Sequence, residues 1–248
     1  MNSTQEAQST KDIADWNRVA DQYSGQNQAN APSDNPMYTH MQAIFWETLG
    51  DLRGQRVLDL GCGDGWFSGL AQAAGAAVIG IDGSDGLLAV ARQAHPAIDF
   101  QQWDLAQGLP PQLGQFDCIV STMVFMDIPD LTKLFGDLHA ALAANGRLVF
   151  TILHPCFFGY KRHYDATTGE WYRKITNYRA PQTWRVESFG GHNHYHRNLT
   201  YYTELLRTNG MAITRLYEPE WDPGPDPADA YIRQWPIVLL VEARPFHG

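Results

Sequence analysis

The chain has 248 residues, of which 44% are hydrophobic, and its formal net charge is −9. This length allows one large domain or two small ones, and the acidic balance argues against a nucleic-acid-binding protein, which usually has a basic surface. No stretch approaches the ~18 consecutive apolar residues that a membrane helix needs, and no apolar segment follows the polar N-terminus as in a secretory signal. The odd number of cysteines favours the reducing cytoplasm over a disulfide framework.

The first 55 residues predict two helices ahead of the first strand. Residues 1–8 are polar and are expected to be disordered. Apolar residues then recur at helical spacing after a cap at Ser9 or Thr10, and Pro36 begins a second amphipathic helix. Because both helices precede the first strand, we expect residues 1–55 to form a helical cap over the binding cleft.

From residue 56 onward, predicted strands alternate with predicted helices. This alternation indicates a mostly parallel sheet with helices on both faces in a single domain, residues 1–248. The core, residues 56–155, has predicted strands at 56–60, 77–81, 98–102, 116–121 and 147–153, and helices at 66–74, 84–93 and 131–143. Residues 199–248 complete the sheet with a helix at 199–208 and strands at 212–216 and 237–243.

The segment V-L-D-L-G-C-G-D-G, residues 57–65, is the most informative part of the sequence. An apolar strand ends in a glycine-rich turn that opens a helix, which is the layout of a nucleotide-type binding site. A dinucleotide fingerprint has the spacing G-x-G-x-x-G, whereas Gly61, Gly63 and Gly65 are followed here by the bulky Trp66. The turn is not spaced for a pyrophosphate, so a ligand without phosphate, such as S-adenosylmethionine (SAM), fits better.

Two acidic residues come at the ends of the next two strands. Asp82 lies about 20 residues past the glycine turn, where an acidic side chain accepts hydrogen bonds from ribose hydroxyls. Asp104 follows Trp103 after the third strand. We expect Asp104 to accept from an adenine amino group while an aromatic or apolar neighbour covers the ring.

These segments resemble the class I SAM-dependent methyltransferases that act on small molecules. The resemblance rests on V-L-D-L-G-C-G-D-G (57–65), I-D-G-S (81–84), W-D-L (103–105), F-D-C-I-V-S (116–121), N-G-R-L-V-F-T-I-L-H-P (145–155) and H-R-N-L-T-Y-Y-T-E-L-L (196–206). It implies a Rossmann-like, mostly parallel seven-stranded sheet with an antiparallel C-terminal strand. It also implies SAM as the cofactor and S-adenosylhomocysteine as its product. The predicted cofactor-binding residues are Tyr23, Asp59, Gly61, Cys62, Gly63, Asp82, Gly83, Ser84, Trp103, Asp104, Leu105, Met123 and Phe125.

Two of these positions have alternative interpretations, and a third departs from the pattern of similar proteins. Asp59 either reaches the amino group of the methionine moiety or orients the glycine turn as a hydrogen-bond acceptor. Tyr23 either closes over the methionine carboxylate or packs in the core of its helix. Many relatives of this kind have a histidine near Phe125, and the sequence Phe125-Met126-Asp127 offers no such base.

Residues 156–198 interrupt the alternation with an insertion that contains ten aromatic residues, and seven Lys and Arg against three acidic residues. We interpret this insertion as a lid over the carboxyl ends of the strands, where open α/β sheets bind ligands. The rings alternatively form a small core of the lid itself, with the arginines in solvent. The predicted substrate contacts are Trp171, Tyr172, Arg173, Trp184 and Arg197.

Histidines at 192, 194 and 196 would share one face of a strand. We predict no metal there, because no nearby cysteine or acid completes a ligand set. His196, in the family-like segment, is the first candidate for a general base or substrate contact, and its alternative is a histidine held at a helix start by hydrogen bonds. His154, at the end of the fifth predicted strand, is the second candidate.

The sequence thus predicts a cytoplasmic methyltransferase that acts on oxygen or nitrogen, rather than carbon, of a small molecule. An aromatic or acidic metabolite is the expected acceptor, and neither nucleic acid nor membrane is an expected partner. One alternative is a protein that binds SAM without transferring its methyl group. The other is a nicotinamide-dependent oxidoreductase, against which Trp66 in place of the third glycine argues.

Overall fold

A computed structural model describes residues 3–29, 36–187, 191–220 and 235–246. In chain order its strands are β1 (Arg56–Leu60), β2 (Ala77–Asp82), β3 (Asp99–Gln102), β4 (Phe116–Thr122), β5 (Leu142–Leu153), β6 (Arg162–Asp165), β7 (Glu170–Arg173), β8 (Gln182–Val186), β9 (His192–His196), β10 (Met211–Tyr217) and β11 (Val238–Pro245). Its helices are α1 (Ser3–Ala29), α2 (Pro36–Leu49), α3 (Trp66–Ala73), α4 (Asp85–Ala94), α5 (Thr132–Ala141) and α6 (Leu199–Thr208). Within the described ranges, no helix is both long and apolar enough to cross a membrane.

Seven strands form one sheet in the order β10-β11-β5-β4-β1-β2-β3. The five strands β5, β4, β1, β2 and β3 run parallel to one another. Strand β11 lies between β5 and β10 and is antiparallel to both. This arrangement confirms the predicted seven-stranded, mostly parallel sheet with an antiparallel C-terminal strand. The strand order reverses at β1, which lies between β2 and β4, and ligands of open α/β sheets bind at the carboxyl ends of such a switch point.

The core has two layers because successive strand side chains point to opposite faces of the sheet. Leu58 and Ile119 belong to the layer that includes buried residues of α5 and α6. Val57 and Val120 belong to the layer that includes buried residues of α2 and α3. The central strands are apolar on both faces, as expected of a parallel sheet covered by helices.

Helix α1 begins earlier than composition predicts. Residues 3–8, expected to be disordered, are its first turns. Gln5 Nε2 donates to Asp130 Oδ2 at 2.8 Å, and Ser9, a predicted cap, donates through Oγ to Asp104 Oδ1 at 2.8 Å. These partners lie in loops after β3 and β4, so tertiary contacts hold a segment that shows no local signal for order.

The boundary between α5 and β5 also differs from the prediction. The helix ends at Ala141 rather than at residue 143, and β5 begins at Leu142 rather than at residue 147. Leu142 pairs with Phe116 of β4, and the register shifts before Cys118. Pairing with a neighbouring strand therefore overrides the polar, turn-like sequence at this point.

The insertion, residues 156–198, contains two antiparallel hairpins, β6–β7 and β8–β9. The second hairpin lies against α1. Asn193 Nδ2 donates to Asp12 Oδ1 at 2.8 Å, and the Tyr195 hydroxyl donates to the other oxygen of that carboxylate. Arg185 forms an ion pair with Asp15 of α1. The insertion is therefore joined to the N-terminal cap beside the carboxyl ends of the strands.

Candidate active site

A cleft lies at the carboxyl ends of the central strands, beneath α1. The space between its walls is about 720 Å³, a volume that includes solvent at its open mouth. Its lining includes four acidic residues, Asp12, Asp82, Asp104 and Asp127. Four carboxyl groups around one cleft give a negative potential that favours a cationic ligand.

The glycine turn after β1 contributes Gly61 and Gly63 to the cleft. Gly61 has a φ of +69°, and a Cβ atom there would lie 2.4 Å from Cγ2 of Val124. A larger residue would therefore be strained and would collide with the loop after β4. The glycine permits two backbone segments to approach closely at the edge of the cleft.

Asp82 joins the glycine turn to the start of α4. Its Oδ2 accepts a hydrogen bond from the Gly63 N–H at 2.9 Å, and its Oδ1 accepts one from the Ser84 N–H at 2.8 Å. Burial raises the pKa of Asp82, and these two donors oppose that shift. Each oxygen retains a further lone pair, and Asp82 lines the cleft beside Gly83 and Ser84. The carboxylate is thus positioned to accept from ligand hydroxyls.

Asp104 and Leu105 also line the cleft. Asp104 Oδ1 accepts from the Ala106 N–H at 2.9 Å and from the Ser9 hydroxyl at 2.8 Å. The side chain therefore caps the 3-10 turn that follows β3, and it attaches α1 to that turn. Its second oxygen accepts from Gln107 Nε2 at 3.4 Å.

Met123 and Tyr23 complete the predicted contacts that line the cleft. Met123 has a φ of +58°, a left-handed conformation that is uncommon outside glycine and concentrates at functional sites. Its N–H donates to the Thr151 carbonyl at 3.0 Å. The Tyr23 ring meets the Trp16 ring edge-on, with centroids 5.5 Å apart. Nine of the thirteen predicted cofactor residues are therefore gathered around one cleft.

Asp59 lies beneath the glycine turn and is 2% exposed. Its Oδ2 accepts a hydrogen bond from the Ser68 hydroxyl of α3 at 2.6 Å. Burial raises the pKa of Asp59 to about 7, against the opposing effect of that hydrogen bond. This geometry matches the alternative in which Asp59 orients the turn. Asp59 is absent from the described lining of the cleft.

Three other predicted cofactor contacts are packed into the protein. Cys62 is 7% exposed, in an apolar cluster formed mainly by α4 and β3. Trp103 donates through Nε1 to the Gly108 carbonyl at 2.9 Å. Phe125 is fully buried, with its ring centroid 5.1 Å from that of Phe135. Each of these residues is adjacent in sequence to a residue that lines the cleft, but its own side chain packs into the protein.

Sequence reasoning did not assign several residues that line the cleft. Helix α1 supplies Ser9, Asp12, Ile13 and Trp16; α4 supplies Leu87; and β4 with the loop after it supplies Thr122, Asp127, Ile128 and Pro129. The helical spacing of Ile13, Trp16 and Tyr23 is a local signal for the first group. Asp12 and Asp127 have no such signal, because their partners lie far away along the chain.

His154 is a buried residue, 1% exposed, at the end of β5. Its Nδ1 accepts a hydrogen bond from the Cys156 N–H at 3.1 Å, which leaves Nε2 to donate to Glu218 Oε1 at 2.7 Å. Burial lowers the pKa of His154, while Glu218 opposes the shift. Both ring nitrogens are engaged, and His154 is absent from the described lining of the cleft.

His196 is also buried. Its Nε2 lies 2.8 Å from the Tyr178 carbonyl oxygen, to which it must donate, and its ring stacks on Trp184 with centroids 5.0 Å apart. Within the described part of the chain it too is absent from the cleft lining. These contacts match the alternative of a histidine held by hydrogen bonds at the start of α6.

The two arginines predicted to bind substrate contact the backbone instead. Arg197 is 8% exposed and donates to the Phe125 carbonyl at 2.9 Å and to the Ile128 carbonyl. Arg173 donates to carbonyl groups at the start of the insertion. Two carbonyls on one guanidinium make a rigid clamp, so Arg197 holds the loop after β4 in place.

The predicted aromatic substrate contacts are divided between the two hairpins. Trp171 and Tyr172 of β7 are 40% and 48% exposed. Trp184 of β8 packs over Gly159, where a Cβ atom would lie 2.2 Å from the indole. None of the three occurs in the described lining of the cleft, and Trp184 matches the alternative in which rings form a core of the insertion.

His192 and His194 do share one face of β9, and both are buried. Their Nε2 atoms lie 2.9 Å apart, and His194 Nε2 lies 3.1 Å from Asp127 Oδ1. The three ligand atoms are within 4.8 Å of one another. The premise of the metal prediction, that no acid accompanies the histidines, is therefore wrong. Asp127 comes from the loop after β4, which only the folded chain brings to β9.

Comparisons with known proteins identify the family of the chain. The methyltransferase domain family matches residues 30–216, well over half of the chain. The ubiquinone biosynthesis O-methyltransferase of Bordetella parapertussis is 36% identical over 108 residues, which are 42% of this chain and 44% of that protein. The trans-aconitate 2-methyltransferase of Klebsiella pneumoniae is 39% identical over 112 residues, 44% of each chain. The chain thus spans less than half the length of these curated relatives.

Solved structures resemble a larger part of the chain. The S-adenosylmethionine-dependent methyltransferase of Mesorhizobium loti has a TM-score of 0.71 and 29% sequence identity, covering 82% of this chain and 96% of that one. Together with the family match, this likeness shows that the chain belongs to the class I SAM-dependent methyltransferase family.

Proposed function

We propose that the protein transfers the methyl group of SAM to an oxygen or nitrogen atom of a small-molecule acceptor. The observation that carries the proposal is Asp82, which lines the cleft while its two oxygens accept from the Gly63 and Ser84 N–H groups. An acid fixed in this way beside a glycine turn suits a ribose diol. The turn itself suits the amino-acid end of the cofactor.

The charge of the cleft supports the same ligand. SAM carries a sulfonium and an ammonium group, and four acidic residues line the cleft. In the reaction the acceptor's electron pair forms a bond to the methyl carbon. The carbon–sulfur bond breaks, and its electron pair remains on sulfur in S-adenosylhomocysteine. The enzyme contributes mainly alignment and exclusion of water.

The printed names of the relatives favour a metabolite as the acceptor. One is an O-methyltransferase of ubiquinone biosynthesis and another a trans-aconitate methyltransferase. We infer that the acceptor enters where α1, the loop after β4 and β9 meet, because Asp12 and Asp127 lie at that junction and line the cleft. Both ring nitrogens of His154 are engaged, which argues against it as a base, and His196, which donates through Nε2 to the Tyr178 carbonyl, is absent from the described lining of the cleft.

Calorimetric titration with SAM, and then with S-adenosylhomocysteine, tests the proposal. The change Asp82→Ala removes the hydroxyl acceptors and loosens the turn, so we expect SAM affinity to fall by about 2 kcal/mol or more, roughly 30-fold. Asp99→Ala makes the same charge change at the exposed start of β3 and should leave the affinity unaltered. Absence of binding to the wild-type protein, or equal affinity in both variants, would contradict the cofactor assignment.

A further inference from the structure

A polar cluster that the methyl-transfer reaction does not by itself require lies where β9 of the insertion meets the loop after β4. It consists of Asp127, His192 and His194, whose ligand atoms all lie within 4.8 Å of one another. We propose that these three residues bind one divalent transition-metal ion beside the cofactor cleft.

The distances fit a shared cation. His192 Nε2 and His194 Nε2 are 2.9 Å apart, and His194 Nε2 and Asp127 Oδ1 are 3.1 Å apart. Bonds of about 2.1 Å from a metal to nitrogen and oxygen ligands place neighbouring ligand atoms about 3 Å apart in octahedral geometry. Two of the three separations therefore match those of neighbouring ligands on one ion, and the third pair, His192 Nε2 and Asp127 Oδ1, lies within 4.8 Å.

Hydrogen bonding leaves Asp127 Oδ1 of this cluster incompletely satisfied. His194 Nε2 is common to both short contacts, and one ring proton can serve only one of them in a linear bond. Among the described residues, none donates a hydrogen bond of acceptable angle to the buried Asp127 Oδ1. A cation at the shared point would satisfy the lone pairs of all three atoms, whereas a partly satisfied buried network is costly.

The surrounding structure holds the ligands in position. Asp127 lies within the loop whose Phe125 and Ile128 carbonyls accept from Arg197. The Tyr195 N–H of β9 donates to the Met126 carbonyl at 2.6 Å and joins the loop to the histidine strand. This support allows the ligand set to be formed before the metal binds, which is a requirement of precise metal sites.

His192 is held in position by helix α1 of the N-terminal cap. The His192 ring lies against the Trp16 ring, with centroids 4.6 Å apart. Trp16 belongs to α1 and lines the cleft. The cofactor cleft and the proposed metal site are therefore separated by no more than one side chain.

Two imidazoles and one carboxylate suit Zn²⁺, Fe²⁺, Co²⁺ or Mn²⁺, and this ligand set leaves coordination positions open. Asp127 lines the cleft, so an open position would face the space where an acceptor binds. An acceptor oxygen bound there would lose its proton to water more readily. This role rests on the proposed function and selects hydroxyl acceptors, whereas metal binding itself does not depend on it.

The test uses tag-free, chelator-treated protein, titrated with Zn²⁺ by calorimetry and with Co²⁺ by visible absorption. We expect one equivalent of each ion to bind, and the Co²⁺ spectrum to report nitrogen and oxygen ligands. Asp127→Asn, His192→Gln and His194→Gln should each weaken binding at least about tenfold. His163→Ala, which removes an exposed histidine of β6, is the matched control and should not change it.

SAM titration of the same samples separates the two proposals and checks that each variant is folded. SAM binding without saturable Zn²⁺ or Co²⁺ binding would overturn the metal site and leave the proposed function intact. Metal binding that persists unchanged in Asp127→Asn and His192→Gln would also overturn the site. Metal binding by a protein that does not bind SAM would retain the site and refute the proposed function.

Discussion

At the scale of single residues, Asp59 and Asp82 show how partners decide the role of an acid. Both follow apolar strand residues and both lie close to the glycine turn. Asp82 accepts from two backbone N–H groups and lines the cleft. Asp59 accepts from the Ser68 hydroxyl in a buried position. The first is positioned for a ligand, and the second is positioned to hold the turn onto α3.

The pKa of Asp59 predicts a pH-dependent stability. Burial raises that pKa from 3.8 to about 7, so the folded state holds a proton that the unfolded state has already lost. The resulting stabilisation is present below pH 4 and is lost as the pH rises through 7. Asp59→Asn keeps an acceptor for Ser68 and does not titrate. We expect the variant to gain stability relative to wild type over this range, on the order of a few kcal/mol.

Urea unfolding of both proteins at pH 5, 6, 7 and 8 measures that difference. A difference in unfolding free energy that does not change with pH would refute a buried, protonated Asp59. SAM titration of Asp59→Asn provides a second result. If Asp59 only orients the turn, SAM affinity is retained, whereas a contact with the cofactor ammonium requires it to fall.

At the scale of elements, α1 is attached to the sheet domain by polar contacts at three loops. Asn17 Oδ1 accepts from the Ser84 hydroxyl at 2.8 Å and from the Gly86 N–H at 3.0 Å. Ser9 and Gln5 donate to acids in the loops after β3 and β4. Because the same helix lines the cleft, its attachment and ligand binding are expected to be coupled.

Asn17→Ala tests this coupling. The change leaves the Gly86 N–H without its side-chain partner, and we expect a loss of about 1 kcal/mol in the free energy of unfolding. SAM affinity should fall as well, because α1 closes the cleft less firmly. Lys11→Ala alters an exposed residue of the same helix and serves as the control for both measurements. Unchanged affinity in Asn17→Ala would show that α1 does not take part in binding.

Two glycines in regular elements are expected to respond oppositely to alanine. In α5 a Cβ on Gly136 would have Asn209 Oδ1 as its nearest neighbour, at 3.8 Å, so Gly136→Ala should stabilise by up to about 1 kcal/mol. In β2 a Cβ on Gly80 would lie 2.6 Å from Phe100 Cδ1, so Gly80→Ala should destabilise by about 1 to 3 kcal/mol. Thermal unfolding of both variants checks the contrast, which equal shifts would refute.

At the scale of the whole molecule, the sheet has an apolar core on both faces, whereas α1 and the β8–β9 hairpin meet over the cleft through polar groups. Regions with few buried apolar contacts open at lower free energy than a core. We therefore expect amides of α1 and β9 to exchange with deuterium faster than those of β4 and β5.

Binding of SAM should slow exchange in α1 more than in β4 and β5, which are already protected. Hydrogen–deuterium exchange followed by mass spectrometry, with and without SAM, measures this change. Protection of α1 that is equally high in both states would show that the cap is closed before the cofactor binds.

Much of the fold could be predicted because its signals are local. The helix at Leu199–Thr208 has the same bounds in the sequence-based assignment and in the structure, and strands β1 to β4 agree to within one residue. Errors arose where tertiary contacts outweigh local preference. Pairing with Phe116 extends β5 backward, and side-chain contacts with distant loops order residues 3–8.

The sequence by itself determined the sheet, the glycine turn and Asp82, because periodicity, glycine spacing and strand ends can be recognised from residues that are consecutive in the chain. Only the tertiary structure decided which side chains meet at the cleft. It brought Asp127 to His192 and His194, turned Arg197 onto backbone carbonyls, and engaged both ring nitrogens of His154 and Nε2 of His196. Those contacts join positions far apart in the chain, and their distances depend on how the helices, the sheet and the insertion pack together.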